Sequence, residues 1–434
     1  MTQSGYRIQQ VSGYNVGGVD YYAALWVYGS GPVLSARQGV PDAWFQNVHD
    51  NYYYQGYRPA YLTAFASGEA AKVNSVWTNA VFSPSDLNQI RSQILTYMAN
   101  NNLPGVALAI TKDERLVYAA GFGDADTTTG EDAGPANLWR IASVSKPITA
   151  TTILHLVETR GLSLDAKVFG PGGILFPHFA TPAGNKLINQ ITVRHLLQHS
   201  AGFTTSPNDP AFQNTSLSMD DYINWVLNDP PRLLTRTPGS MYEYSNFGYT
   251  LLGRVIEQWT GKPYQQYVEE AVLAPCGITD MTIGAETLAG RRAREVRYYP
   301  EADAYALPVT RMDAHGGWLA SPIDLVRLMV RVDGATQKLD LLSSSTRAQM
   351  TTPSNLPMVG GGNSNYGFGW VNNPQSHNGA MRGTGSVMAV LPGGYNVALI
   401  TNRRPVNDDF SWGLMTAAQN IVNGVSNWPA YDLF

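Results

Sequence analysis

The alternation of apolar and polar positions changes period along the chain. Residues 5–26, "GYRIQQVSGYNVGGVDYYAALW", alternate with a period of two about a glycine-containing turn and end on tryptophan, the pattern of a strand pair. Residues 56–77, "GYRPAYLTAFASGEAAKVNSVW", repeat this pattern at a constant shift of 51 without a gap. Gly5, Tyr6, Arg7, Gly17 and Trp26 match Gly56, Tyr57, Arg58, Gly68 and Trp77, while Tyr14 falls on Phe65 and Val11 on Leu62. Between the copies, residues 41–55 read as a helix. Repeats of this length form stacked units that bury each other's apolar faces. Two copies are too few to stand alone, so the module is expected to lean on its neighbour or on another chain.

A 3.6-residue period begins at Ser83, with apolar residues at 87, 90, 94, 95 and 98, and ends at Asn-Asn-Leu-Pro-Gly (101–105). Two strands follow, 105–110 and 115–123, forming a hairpin through Lys112, Asp113 and Glu114. Near the other end, strands over 385–392 and 395–402 meet at a Pro-Gly-Gly turn, and a last helix covers 409–425. Residues 143–350 between these regions read as mostly helical. The expected fold is α/β (α+β): an antiparallel sheet built from both ends of the domain, flanked by helices, with an all-helical subdomain beside it. The shift of period divides the chain into a β-rich repeat module, 1–80, and a main domain, 81–434, whose site is expected where sheet and helical part meet.

Composition narrows the function. Of 434 residues, 44% are hydrophobic and 14% charged, enough to build a large core. The net charge of −4 and the lack of a basic stripe argue against nucleic acid as a partner. Cys276 is the one cysteine, so no intramolecular disulfide forms, and its apolar setting in "VLAPCGITDMT" reads as a buried structural thiol. Of seven histidines only His195 and His199 form a close pair, and this pair lacks the glutamate of a zinc helix, so neither metal nor cofactor is expected. No apolar run reaches the ~20 residues of a membrane span. The start, "MTQSGYRIQQ", has no basic stretch followed by an apolar one, so no signal peptide is visible.

Three short motifs carry candidate chemistry. In "LWRIASVSKPITATTILHLVETRG", Ser143 and Lys146 are three residues apart at a helix start, on one face, with Cβ atoms roughly 5–6 Å apart. A lysine that loses its proton through desolvation activates a serine hydroxyl; equally, serine is a favoured helix N-cap. Tyr244 and Asn246 stand where "TPGSMYEYSNFGYTLLGRVIEQWTG" enters a helix whose apolar face is Phe247, Leu251, Leu252, Val255, Ile256 and Trp259. A phenol there relays a proton, and an amide contacts substrate or lysine. His377, Asn378 and Gly379 open a strand in which glycine marks close approach of another backbone, and the Ala380 N–H is placed to complete an oxyanion hole with that of Ser143.

The order S-x-x-K, Y-x-N, H-x-G, with gaps of 101 and 133 residues, resembles the serine β-lactamase and D,D-peptidase superfamily, above all class C β-lactamases, D-alanyl-D-alanine carboxypeptidases and family VIII esterases. "ITVRHLLQHSAGF", "GLSLDAKV", "HGGWLASPIDLVRLM" and "YGFGW" look like the same scaffold, and the resemblance spans about residues 83 to 425. It implies a β-lactamase-like fold, Ser143 as acylated nucleophile, Lys146 as its base and Tyr244 as proton relay. It implies Asn246, His377, Asn378, Gly379 and Ala380 as substrate-binding residues. Many β-lactamases carry lysine where His377 stands; a neutral imidazole holds a carboxylate less well, and Arg382 is a candidate to compensate. The repeat resembles those preceding the hydrolase domain of polyglycine hydrolases, secreted endopeptidases that cut glycine-rich linkers. The resemblances imply an extracytoplasmic serine hydrolase of peptide, amide or ester substrates, with residues 1–80 recruiting a polymer or cell wall. A small-ester carboxylesterase, a weak β-lactamase, and a penicillin- or glycan-binding protein without activity are the alternatives.

Overall fold

The computed structural model describes residues 5–179, 185–205, 208–229, 234, 236–405 and 410–434. Each copy of the repeat forms a hairpin: β1 (Tyr6–Val16) with β2 (Val19–Tyr28), and β4 (Arg58–Ser67) with β5 (Ala70–Asn79). The first turns through Gly17 and Gly18, both at positive φ, as a two-residue hairpin turn requires. A strand not expected from the sequence, β3 (Val33–Pro41), pairs with the outer edge of β5 to give the order β3-β5-β4. Its alternation is broken by a register shift between Arg37 and Val40, around Gly39 at positive φ, which hides the period of two.

The helix between the copies, α1 (Asp42–Tyr53), covers Trp77: Tyr52 stacks on the indole at 4.9 Å, and Phe45 and His49 pack beside it. Helix α1 also ties the module to the main sheet. Asn51 exchanges hydrogen bonds with the Gly121 backbone at 3.0 and 3.1 Å, Asn47 donates to the Asp132 carbonyl, and the Ala119 N–H donates to the Tyr54 carbonyl. The module therefore leans on its neighbour, as the short repeat demands.

Helix α2 (Pro84–Asn101) is capped by Ser83 and ends at Asn102 in the left-handed region. It buries Ile90, Ile94 and Met98, while Leu95, expected on that face, is exposed. The central sheet draws on both ends of the chain: β6 (Gly105–Lys112), β7 (Arg115–Asp126) and β8 (Glu131–Asp132) from one, β12 (Ser376–Met381), β13 (Thr384–Leu391) and β14 (Tyr395–Thr401) from the other. Its order is β12-β13-β14-β6-β7-β8, with every neighbouring pair antiparallel. Alternate residues of each strand face α2 and α11 (Phe410–Gly424) on one side, as Leu108, Val397 and Leu399 do, and the larger helical core on the other.

The intervening region is helical, but not wholly. It holds α3 (Ser145–Arg160), α4 (Val193–Leu197), α5 (Met219–Asn228), α6 (Asn246–Thr260), α7 (Tyr264–Val268), α8 (Glu301–Ala304), α9 (Pro322–Met329) and α10 (Ser344–Thr351). A small sheet of β9 (Trp139–Arg140), β10 (Thr282–Ile283) and β11 (Trp318–Ala320), in the order β10-β11-β9, corrects the all-helical expectation. Strands this short carry no readable period. Trp259, expected on the buried face of α6, is partly exposed, with its indole N–H on the Arg160 carbonyl. Cys276 is buried and its thiol is pushed up to about 12 by burial, consistent with a structural role. No helix among the described residues is long and apolar enough to cross a membrane.

Candidate active site

Ser143 does not cap α3. It lies in a 3-10 turn, Ala142–Val144, just before the helix, and Val144 takes the N-cap position with no side-chain cap bond. Ala142 sits at φ +48, a left-handed conformation that costs a non-glycine residue about 1–3 kcal/mol and presents the serine at the edge of the cleft. The serine hydroxyl is thus left free to receive the Lys146 Nζ, which donates to Ser143 Oγ at 3.0 Å.

Lys146 is fully buried on the first turn of α3. Its two other hydrogen bonds run to Asn246 Oδ1 at 2.7 Å and to the His315 carbonyl at 2.9 Å, so all three ammonium protons have acceptors. None of these acceptors carries a formal charge, and burial pushes the lysine down to about 7, with Asp209 opposing the shift. Asp209 escaped the sequence reading because it lies in a loop without period. Its Oδ2 accepts from Asn246 Nδ2 at 2.7 Å, which turns the amide oxygen toward Lys146, while its Oδ1 accepts from the Ala211 N–H. Arg311 fixes the same loop by donating to the carbonyls of Ala211, Gln213 and Asn214.

Tyr244 precedes Ser245, the N-cap of α6, and Asn246 is the first residue of that helix. The phenol is hydrogen-bonded to Ser143, and its ring lies 4.8 Å from Lys146 Nζ. Burial holds the phenol well above its ordinary range, so at rest it is neutral. Behind it, His199 lies 4.3 Å from the Tyr244 ring and accepts the Ser245 N–H on Nδ1; burial holds it far below its usual value, hence neutral.

The third motif forms the edge strand β12, next to the serine turn. A Cβ at Gly379 would collide with the Ile141 carbonyl and Ser386 Oγ and stand 3.0 Å from the Ser143 nitrogen. Ser386 Oγ, from β13, donates to the same Ile141 carbonyl at 2.7 Å and fastens turn to sheet. Replacing Gly379 with alanine is accordingly expected to push β12 off the serine turn, lowering kcat/KM at least ~100-fold while costing about 1–3 kcal/mol of stability. Steady-state rates alongside thermal unfolding measure both.

Ser143, Tyr244, Asn246, Asn378 and Ala380 line one cavity of ≈ 250 Å³, with Phe212, Met312 and His315 among its other walls. His377 does not line it. The imidazole is buried, with Nε2 3.0 Å from the Tyr366 hydroxyl and Nδ1 2.6 Å from the Asn378 carbonyl, and burial pushes it down to about 3. Arg382 is exposed in the hairpin turn after β12 and is not among the residues lining the cavity. With Ala142 and Gly316 the described wall comes to ten residues, none of them lysine, arginine, aspartate or glutamate.

Ser143 at the edge of this cleft thus has the buried Lys146 within hydrogen-bond reach. Residues 90–419 match the Beta-lactamase family, and the chain belongs to it. Its relatives in this superfamily of serine hydrolases act on amides or esters. Residues 1–28 and 31–80 match a structural repeat described as polyglycine hydrolase-like. Penicillin-binding protein 4* of Bacillus subtilis is 24% identical over 348 residues, covering 71% of this chain and 70% of that one. The D-amino acid amidase of Ochrobactrum anthropi SV3 superposes with a TM-score of 0.63 at 22% identity, over 78% of this chain and 98% of that one. EstCE1, a hydrolase with promiscuous acyltransferase activity, superposes with a TM-score of 0.60 at 19% identity, over 79% and 99%.

Proposed function

We propose that this protein hydrolyses amide bonds flanked by small, uncharged groups, by way of an acyl-enzyme on Ser143. The observation that carries the reading is Lys146, buried, lowered to about 7 and 3.0 Å from the serine hydroxyl. Neutral Lys146 takes the Ser143 proton as Oγ bonds to the substrate carbonyl carbon. The oxyanion is met by the N–H groups of Ser143 and Ala380. The tetrahedral intermediate collapses with rupture of the C–N bond, and the amine leaves with a proton delivered from the lysinium through the Tyr244 hydroxyl. Water then attacks the ester carbonyl and gives a proton to Lys146 by the same route; as the C–Oγ bond breaks, the lysinium returns that proton to Ser143 Oγ, and the acid is released with the serine restored.

The substrate class follows from what the cleft lacks. A substrate ending in a carboxylate beside the scissile bond is best held by a fixed cation, and neither His377 nor Arg382 supplies one to the cavity. Phe212 and Met312 restrict the walls, which favours glycine-like residues within an extended peptide bound along the edge strand β12. Polyglycine hydrolase-like repeats ahead of the catalytic region support the same substrate.

A panel of oligoglycine amides, D-Ala-D-Ala peptides, p-nitrophenyl esters and a chromogenic cephalosporin tests the reading. Capped oligoglycine is expected to be cut internally, small esters to be hydrolysed through the same acyl-enzyme, and the cephalosporin to turn over poorly. Efficient steady-state hydrolysis of the cephalosporin or of free D-Ala-D-Ala carboxylates, with capped oligoglycine left intact, would overturn it.

A further inference from the structure

A neutral amine has two N–H groups and one lone pair, and a base works only if the lone pair faces the proton it is to take. Around Lys146, Asn246 Oδ1 at 2.7 Å and the His315 carbonyl at 2.9 Å can only accept. Together they take both N–H groups and leave the lone pair to Ser143 Oγ, 3.0 Å away. Asn246 is held by Asp209. The His315 carbonyl belongs to a main-chain turn, residues 313–317, between a 3-10 helix (Val309–Met312) and β11. Whatever fixes this turn also fixes the lysine.

The turn is tied on two sides. Toward α6, Asp313 Oδ2 accepts from Arg254 at 2.6 Å, and its Oδ1 accepts from the Ala314 N–H at 2.6 Å. Toward α3, Thr149 stands three residues after Lys146 and so on the same helix face. Its Oγ1 donates to the Ala314 carbonyl at 2.6 Å. Helix α3 thus holds two consecutive carbonyls, Ala314 through Thr149 and His315 through Lys146. A threonine inside a helix can donate to the carbonyl four residues back; here that bond, to Ser145, is 3.4 Å long. The shorter bond to Ala314 has a source. The Trp318 indole can only donate, and it does so to the Tyr264 hydroxyl at 3.0 Å. Tyr264 lies 2.6 Å from Thr149 Oγ1 and directs its own proton there, so the single proton of Thr149 goes to Ala314. Thr149, Tyr264 and Trp318 are all fully buried, which strengthens such a chain of donors.

We propose that Thr149 is a positioning residue for the serine proton transfer. Its hydroxyl, oriented by Tyr264 and Trp318, holds the turn so that the His315 carbonyl takes one Lys146 N–H and the lone pair is turned to Ser143. This rests on the reading of Lys146 as the base of an acyl-enzyme hydrolase. Two effects follow when the hydroxyl is removed and the turn relaxes. The lone pair is no longer aimed, so acylation slows even where the amine is neutral. The ammonium also loses an acceptor, which disfavours the charged form, so the neutral amine is reached at lower pH.

The test is the second-order rate at which a fluorophosphonate labels Ser143 in the full chain, followed from pH 5 to 9 in wild type, Thr149→Val, Thr149→Ser and Tyr264→Phe, with thermal unfolding of each. Valine keeps the shape of threonine without the donor, and serine keeps the donor. In Thr149→Val the high-pH plateau is expected to fall about tenfold or more, and the midpoint of the rise to move down by ~0.5 pH unit or more. Thr149→Ser should restore both. Tyr264→Phe removes only the hydroxyl that aims Thr149, so it should move both in the same directions by less, and it carries the test where Thr149→Val does not fold. None of these variants alters the titratable groups beside Lys146, which are Asp209, His199, His315, His377, Tyr244 and Tyr249, or the Arg254–Asp313 pair across the turn. A shifted midpoint therefore reports the carbonyl. Profiles that superimpose on wild type, a lower plateau with the midpoint unmoved, or a Thr149→Ser that behaves as Thr149→Val each overturn the inference. A wild-type rate that does not rise between pH 5 and 9 contradicts Lys146 as the base and takes this inference with it, so the two failures are told apart.

Discussion

Replacing Ser143 with alanine is expected to remove hydrolysis of every substrate by ~10⁴-fold or more and to abolish labelling by a fluorophosphonate or a fluorescent penicillin. The loss is chemical, not structural. Ser143 belongs to a single 3-10 turn, its side chain caps no helix, and Lys146 keeps Asn246 and His315 as acceptors when the hydroxyl is gone. Stability should therefore shift by less than about 1 kcal/mol. Rates, labelling and thermal unfolding on the same preparation separate the two effects. Turnover near the wild-type rate in Ser143→Ala would show that the nucleophile lies elsewhere.

Replacing Lys146 should be nearly as severe, and the wild-type pH profile should report its titration. The productive form is the neutral amine, since an ammonium cannot accept the serine proton. With Lys146 lowered to about 7 by burial, kcat/KM is expected to rise with pH across that value and level off above it, and to fall about tenfold for each unit below it. Among the described residues, the titratable side chains beside Lys146, apart from Asp209, are His199, His315, His377, Tyr244 and Tyr249. Burial keeps each of them neutral near pH 7, which leaves Asp209 as the charge that opposes the shift. Lys146→Arg fixes the positive charge and should lose at least ~10³-fold at all pH values. Lys146→Met removes the charge instead, so a comparable loss there would attribute the defect to the missing base rather than to a buried guanidinium. A profile flat from pH 5 to 9 in the wild type would contradict the lysine's role.

Much of this site was legible before any coordinates. Each of Ser143, Lys146, Tyr244 and Asn246 is a weak signal alone; the order of S-x-x-K, Y-x-N and H-x-G along the chain singles them out. Gly379 was legible for a different reason, as a glycine inside a strand implies a neighbour that leaves no room for a Cβ. The sheet built from both chain ends was readable from two hairpins with clear turns.

What the sequence left out shares one physical cause: it depends on which residues distant in the chain come to face each other. Asp209 matters because a loop fixed by Arg311 brings it to Asn246, and nothing near Asp209 signals that. His377 sits in the expected strand, yet period-two alternation alone does not say that its side chain turns to Tyr366 rather than to substrate. Ser143 looked equally like a helix cap, and only the 3-10 turn ahead of α3 frees its hydroxyl. Strand β3 was hidden by its own bulge, and β9, β10 and β11 by their length.

Hydrolysis by way of an acyl-enzyme requires a covalent bond at one atom, Ser143 Oγ. Wild-type enzyme quenched in acid during turnover of a slow ester, or after reaction with a fluorophosphonate, can be weighed intact and mapped by peptide mass spectrometry. A single adduct on the peptide containing Ser143 is expected, forming faster at pH 8 than at pH 5.5 and absent from Ser143→Ala. An adduct on any other residue, or labelling that persists in Ser143→Ala, would contradict it.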